Sequence, residues 1–365
     1  MGAKEIHKDQ PHCLESDIHR LLQQRNKRGR TMEHILANWL PYSFAFLMGL
    51  SMLIYAVLDG YDLGVGMLID NATSHEKDRM IASIGPFWDA NETWLILGVG
   101  LLLVAFPMAH GVILTNLYLP VAVMLFGLIF RGVAFDFRAK VPFQQKWRWK
   151  KKFFYGSLLT SLAQGYMLGS YIIGFDNSLS GIMFSCLIAI LLASAYCLVG
   201  ACWLIMKCEG TLQEKAVKWA KYHLINSVIG LAVISLATPL ISDRIYKKWF
   251  SFPEMLWLAP IPVLTGALIV WLFVLLKRMP LHEDRLNWLP LVITIGIYVL
   301  SFCGLAYSFF PYIVPEQMTI IEAAAAPDAL KIMLVGALIV LPILLSYTAL
   351  SYYIFRGKAS DLSYD

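Results

Sequence analysis

The sequence predicts an all-α fold: a polytopic membrane helix bundle of about nine transmembrane helices. Three observations predict it. The chain of 365 residues is 58% hydrophobic and only 15% charged; its mean hydropathy is +0.61; and apolar runs recur at the length that crosses a bilayer. A soluble chain is usually about 25% charged. A soluble fold of this size has too little interior to hide so much apolar side chain, so lipid is the expected solvent.

Runs of ~20 apolar residues suffice to cross ~30 Å of hydrocarbon. They fall near 40–68, 86–106, 109–131, 156–175, 182–206, 223–242, 256–276, 288–311 and 331–355. Pro239, Pro260, Pro262 and Pro342 lie within or at the edge of these runs, which membrane helices tolerate when neighbours re-satisfy the backbone. Trp39, Tyr42, Trp203, Trp249, Trp288, Tyr312, Tyr352 and Tyr353 gather at run ends, as an interfacial belt does. No run carries a sustained heptad. A weak pseudo-repeat of four plus four helices, followed by one more, is the most internal symmetry the pattern offers.

Charge sets orientation, because Lys and Arg collect in cytoplasmic loops. The loops near 69–85, 131–155, 207–222 and 277–287 and the tail from Arg356 hold nineteen Lys and Arg, whereas the opposite loops hold Arg244, Lys247 and Lys248. Helix 1 is therefore expected to start outside and the C-terminus to lie in the cytoplasm. The domain reading is a polar N-terminal extension over 1–31, a transmembrane bundle over 32–356 and a cytoplasmic tail over 357–365. The extension has no apolar run of its own and is not a cleavable signal by itself. Its seven Lys and Arg break the charge rule: either later loops dominate the topology, or the natural chain begins at Met32 and the stretch, otherwise expected to be disordered, is an artefact of the start site, which is the reading we favour. N-terminal mass spectrometry that found Met1 or Gly2 on the native protein would exclude the second reading.

Composition also excludes several functions. The net charge of +5 sits in interhelical loops and forms no basic stripe with stacking aromatics, so nucleic acid is not a partner. Cys13, Cys186, Cys197, Cys202, Cys208 and Cys303 make no CxxC pair and read as small buried hydrophobes rather than a metal site or disulfide framework. Gly98-Val99-Gly100 lies mid-run with no strand before it, so it is no dinucleotide fingerprint. The eight histidines, among them His110 and His223, avoid the middle of the runs. A haem held inside a bundle needs axial His, Met or Cys at depth, and a Met in an apolar run is far more often packing than a ligand. No metal is expected on this chain.

The unusual residues converge on one side. Helix 1 ends in Asp59-Gly60-Tyr61-Asp62-Leu63-Gly64-Val65-Gly66, helix 2 opens with Pro86-Phe87-Trp88-Asp89-Ala90-Asn91-Glu92-Thr93-Trp94, and helix 3 ends in Phe130-Arg131-Gly132-Val133-Ala134-Phe135-Asp136-Phe137-Arg138. All three ends are expected to face the cytoplasm. Asp59 and Asp62 share a helix face, and Gly60, Gly64 and Gly66 would admit a close helix neighbour. Ionisable groups at membrane depth are costly, face protein or water, and mark proton or ion routes. The plainer reading is helix-end chemistry: Asp89 and Glu92 in a first turn and Arg131 in a last turn complement the macrodipole, and Asp62 would sit near the interface. That accounts for each residue singly and less well for all of them together. Arg131 is the expected counter-ion of Asp89 or Asp59, since an unpaired buried charge is prohibitive.

The segments DGYDLGVG, PFWDANETW and FRGVAFDFR together make the chain from Met32 onward resemble subunit II of cytochrome bd-type ubiquinol oxidases, including the cyanide-insensitive oxidase branch. The resemblance implies a bacterial inner-membrane complex that oxidises quinol and reduces O₂ to water, with protons taken from the cytoplasm. It implies haem b and haem d bound by the partner subunit I, a structural quinone and surrounding lipids, and it leaves room for a small accessory subunit. Asp59, Asp62, Trp88, Asp89 and Arg131 match motif positions, with Asp89 and Trp88 the foremost candidates for the haem side or a proton route at the subunit interface. Glu92 stands where some relatives have Gln, which weakens a proton role for it. Catalytic residues are expected in the partner rather than in this chain. Two other readings stay open: a proton-coupled secondary transporter, and a scaffold whose acids serve only as helix ends.

Overall fold

The computed structural model describes residues 11–141, 146–281 and 284–359, with side chains from Trp39 onward except those of 139–140. Thirteen helices and a two-stranded hairpin follow one another in these residues: α1 (Pro11–Leu68), α2 (Ser74–Ile84), α3 (Trp88–Ala105), α4 (Pro107–Lys140), α5 (Lys146–Ile172), α6 (Leu179–Lys207), α7 (Thr211–Ile241), α8 (Asp243–Phe250), α9 (Glu254–Leu258), α10 (Pro260–Arg278), α11 (Leu289–Phe309), β1 (Tyr312–Val314), β2 (Met318–Thr319), α12 (Ile320–Ala323) and α13 (Pro327–Ile354). The backbone of residues 11–31 continues α1 as helix. The expectations for residues 1–10 and 360–365 lie outside the described residues.

Among the described residues, eight helical segments are long and apolar enough to cross a membrane, from Trp39–Asn71 to Pro327–Ile354. The ninth expected span corresponds to α5, which is long enough but more polar. Its Ser157, Thr160 and Ser161 are fully buried because α5 packs along both α4 and α6. A helix enclosed by other helices can carry hydroxyls that lipid would reject. Close backbone approach makes this possible. A Cβ on Gly156 of α5 would fall 2.8 Å from the Arg131 nitrogen of α4, and a Cβ on Gly64 of α1 would fall 1.9 Å from the Tyr196 carbonyl oxygen of α6. Only hydrogen fits there, so α1 and α6 touch along their backbones.

The connections hold more order than expected. Residues 69–85 are a 3-10 turn followed by α2, which a capping box starts: Thr73 Oγ1 accepts from the Glu76 N–H and Glu76 Oε2 accepts from the Thr73 N–H. Met80 and Ile84 of α2 are fully buried, a burial that apolar-run reading cannot see in so short and polar a segment. Residues 242–259 form α8 and α9, and residues 312–319 form the antiparallel pair Tyr312↔Thr319, Val314↔Met318. α7 begins well before the expected residue 223, so His223 lies inside it and shares a 2.7 Å hydrogen bond with Ser194 of α6.

Candidate functional site: an arginine shared by buried acids

Asp59 and Arg131 lie several turns inside their helices, not at the ends. The Arg131 side chain is 1% exposed and the Asp59 side chain 0%. Arg131 Nη2 donates to Asp59 Oδ1 at 2.6 Å and also pairs with Glu92 Oε1 from the first turns of α3. Asp89, one of the two expected counter-ions, is exposed and falls outside this group. α3 turns Asn91 and Glu92 inward while Asp89, on another face of the same turn, meets the surface. Trp88 is half-buried, its ring 5.0 Å from that of Phe135.

A second chain of polar groups adjoins the first. Asn91 Nδ2 donates to Asp62 Oδ2 at 2.8 Å and lies 2.9 Å from the Tyr61 hydroxyl. Tyr352 of α13 donates to Asn91 Oδ1 at 3.2 Å and meets the Tyr61 hydroxyl at 2.5 Å. Asp62 is fully buried, so protein rather than solvent surrounds its carboxyl. One turn before Asp59, the Tyr55 hydroxyl accepts from Gln164 Nε2 at 2.6 Å, and Tyr196 donates to Gln164 Oε1 at 2.8 Å. Gly60 lies beneath the Tyr196 ring and Gly66 against Ser157 and Phe153 of α5, which fixes the face that α1 turns to this group.

The charges do not balance. One guanidinium faces the carboxyl groups of Asp59, Asp62 and Glu92. Asp59 Oδ2, Asp62 Oδ1, Arg131 Nε and Arg131 Nη1 are buried without a hydrogen-bond partner among the described residues. Leaving a buried polar group unpaired costs about 1–3 kcal/mol, and more for a charge. The arrangement therefore calls for protons on some of these acids or for water between them.

Tyr55, Gln164 and Tyr196 also line a cavity of 510 Å³ whose other walls include Met52, Met124 and Met167. Outside the spans, the loop side carries ordered ion pairs. Burial would push the Glu76 carboxyl up, but the Lys215 ammonium at 2.7 Å and the Thr73 N–H and hydroxyl outweigh it and hold it to about 2. Asp78 pairs with Arg138 and, at 2.8 Å, with Lys150. Among the described residues no group of three or more His, Cys, Asp or Glu is arranged to hold a metal ion.

Sequence reading missed Tyr55, Gln164, Tyr196 and Tyr352. Gln164 carried a signal, being an amide inside an apolar run. Tyr55 and Tyr196 carried none, because an aromatic in a span reads as packing, and Tyr352 read as part of the interfacial belt.

The fold and the cluster define a polytopic membrane protein built around a buried cluster of ionisable and polar side chains. Residues 40–355 match the family model for cytochrome bd terminal oxidase subunit II, and the chain belongs to that family. It is 28% identical to the cytochrome bd ubiquinol oxidase subunit 2 of Bacillus subtilis, over 83% of this chain and 92% of that protein. It is 26% identical to the cytochrome bd-I ubiquinol oxidase subunit 2 of Escherichia coli K12, over 87% of this chain and 95% of that protein. The bd oxidase structure from Geobacillus thermodenitrificans shares the fold with a TM-score of 0.72 at 16% identity, covering 87% of this chain and 98% of that one. The chain is thus a subunit of a quinol:oxygen oxidoreductase, a terminal oxidase with haem in the complex and a subunit I partner. The transporter reading is not favoured.

Proposed function

We propose that this chain supports the haem-bearing subunit I and supplies it with protons through the Glu92–Arg131–Asp59 group and the adjoining Asp62. The observation that carries the reading is the charge imbalance: three carboxyl groups around one guanidinium, with four polar atoms left over. Such a group lowers its net charge by holding protons or has its leftover charge solvated by admitted water, and a proton relay uses both. Glu92, 25% exposed, is the outermost member and Asp59, at 0%, the innermost. That order makes Glu92 the member nearest the surface, a role that the family resemblance did not favour for it, having put Asp89 and Trp88 first. Arg131 holds Asp59 in place and keeps its charge affordable. Asn91 does the same for Asp62 by donating to it.

The finer assignments accompany this reading. Haem b and haem d are held by subunit I; on this chain His223, inside α7, is engaged by Ser194. The 510 Å³ cavity, with Met walls and a Tyr–Gln–Tyr polar end, suits the chain and carbonyls of a structural quinone, which would brace α1, α5 and α6. A small accessory subunit completes the complex in the bacterial inner membrane, with the N-terminus outside and the C-terminus cytoplasmic.

The test uses the intact two-subunit complex. Asp59→Asn and Asp62→Asn are expected to lower quinol-driven oxygen consumption roughly a hundredfold, the scale of a lost proton-transfer group, while the haem spectrum stays unchanged. Parental turnover in both variants would refute the proton role.

A further inference from the structure

The loops on the face opposite the acid cluster concentrate their charge in one place. Arg244, Lys247 and Lys248 all lie in α8, which with α9 joins the ends of α7 and α10. Ser242 Oγ caps α8 by accepting from the Ile245 N–H at 3.4 Å, and Ile245 and Leu258 anchor the segment inward. Tyr246, Phe250, Phe252, Leu256 and Trp257 stay exposed. A helix at the end of two spans, with cations on one side and bare aromatics on the other, lies in the membrane interface.

Arg244, Lys247, Lys248, Ser251 and Glu254 line a recess of 460 Å³ there. Two of its cations are already committed. Arg244 donates to Glu316 Oε1 at 2.9 and 3.1 Å and to the Phe310 carbonyl at 3.0 Å. Lys248 donates to the Tyr307 carbonyl at 3.2 Å and to that of Phe310. Lys247 and Glu254 form no ion pair among the described residues. The recess therefore offers one uncommitted ammonium, one uncommitted carboxylate and the Ser251 hydroxyl.

We infer that this recess binds the headgroup of an ethanolamine-type zwitterionic phospholipid. Its phosphate meets Lys247 and Ser251, within the positive field of Arg244 and Lys248, and its ammonium donates to Glu254. A purely anionic headgroup would set its charge against Glu254, and a choline group has no N–H to donate. The inference is independent of the proton role proposed above.

The test is lipid retention by the complex. The oxidase is reconstituted in phosphatidylcholine nanodiscs containing either phosphatidylethanolamine or phosphatidylglycerol, released in mild detergent, and weighed by native mass spectrometry. The parental complex is expected to retain phosphatidylethanolamine over both other lipids. Glu254→Gln should lower its retention relative to phosphatidylcholine about tenfold, the loss of one charge-assisted contact. Lys247→Gln should weaken both, and unchanged haem content confirms that each variant is folded. Preferential retention of phosphatidylglycerol, equal retention of phosphatidylethanolamine in parent and Glu254→Gln, or displacement of the lipid by inorganic phosphate would each overturn the inference.

Discussion

Arg131 is the residue on which the site turns. Removing it while keeping its carboxylates leaves buried charge uncompensated, which typically costs about 3–5 kcal/mol. Arg131→Leu is therefore expected to lower the thermal midpoint and yield of the complex, and Asp59→Asn in the same chain to restore part of the loss; a double-mutant cycle measures that coupling. Asp89→Asn, at an exposed position, should shift stability by no more than about 0.5 kcal/mol and leave turnover near parental in the same assay that Asp62→Asn fails. Glu76 gives a pH dependence. Its carboxyl falls from 4.5 to about 2 on folding, so its stabilisation is whole above about pH 4.5 and disappears as pH drops towards 2. Glu76→Gln lacks it throughout, and the gap in thermal midpoint between parent and variant should close across that acid window. At this scale Asp59, Asp62, Asn91, Glu92 and Arg131 were legible because they stand in short polar segments at three adjacent run ends. Tyr352, 291 residues from the Tyr61 it touches, was not, since only the folded chain brings α13 to α1.

Helices were the most legible elements wherever an apolar run was long enough to declare itself. The expected spans and the observed α3, α6, α10, α11 and α13 agree to within a few residues, because bilayer thickness fixes their length, whereas α1 starts well before its expected span and α4 runs on well past its own. α5 was placed for the same reason, although its buried hydroxyls keep it below the composition of a lipid-facing helix. α2, α8 and the β1–β2 hairpin were read as loops. Their order comes from caps and from docking on neighbours, as Thr73–Glu76 and Ser242 show, and such segments leave little trace in hydropathy. The crossing of α1 and α6 makes its own prediction. Gly64→Val would place side-chain carbon against the Tyr196 carbonyl, where overpacking costs about 1–3 kcal/mol or more. The two helices should part, with loss of assembled complex in membranes; normal assembly would mean that the contact is not close.

The whole molecule is one subunit of a terminal oxidase with haem in the complex, and the contribution we propose for it is support and proton supply. Its described bundle brings α1, α3, α4 and α13 together at one end around three acids and one arginine, while the opposite end carries the hairpin and the interfacial α8. Proton delivery from the acid end is the central claim, and proton uptake in a single turnover tests it most directly. The reduced complex is placed in liposomes with the acid end accessible to a pH indicator and mixed with oxygen. Parental complex should take up protons in step with haem oxidation, and Asp59→Asn should slow uptake roughly a hundredfold with haem content intact. Uptake at the parental rate in that variant would contradict the claim.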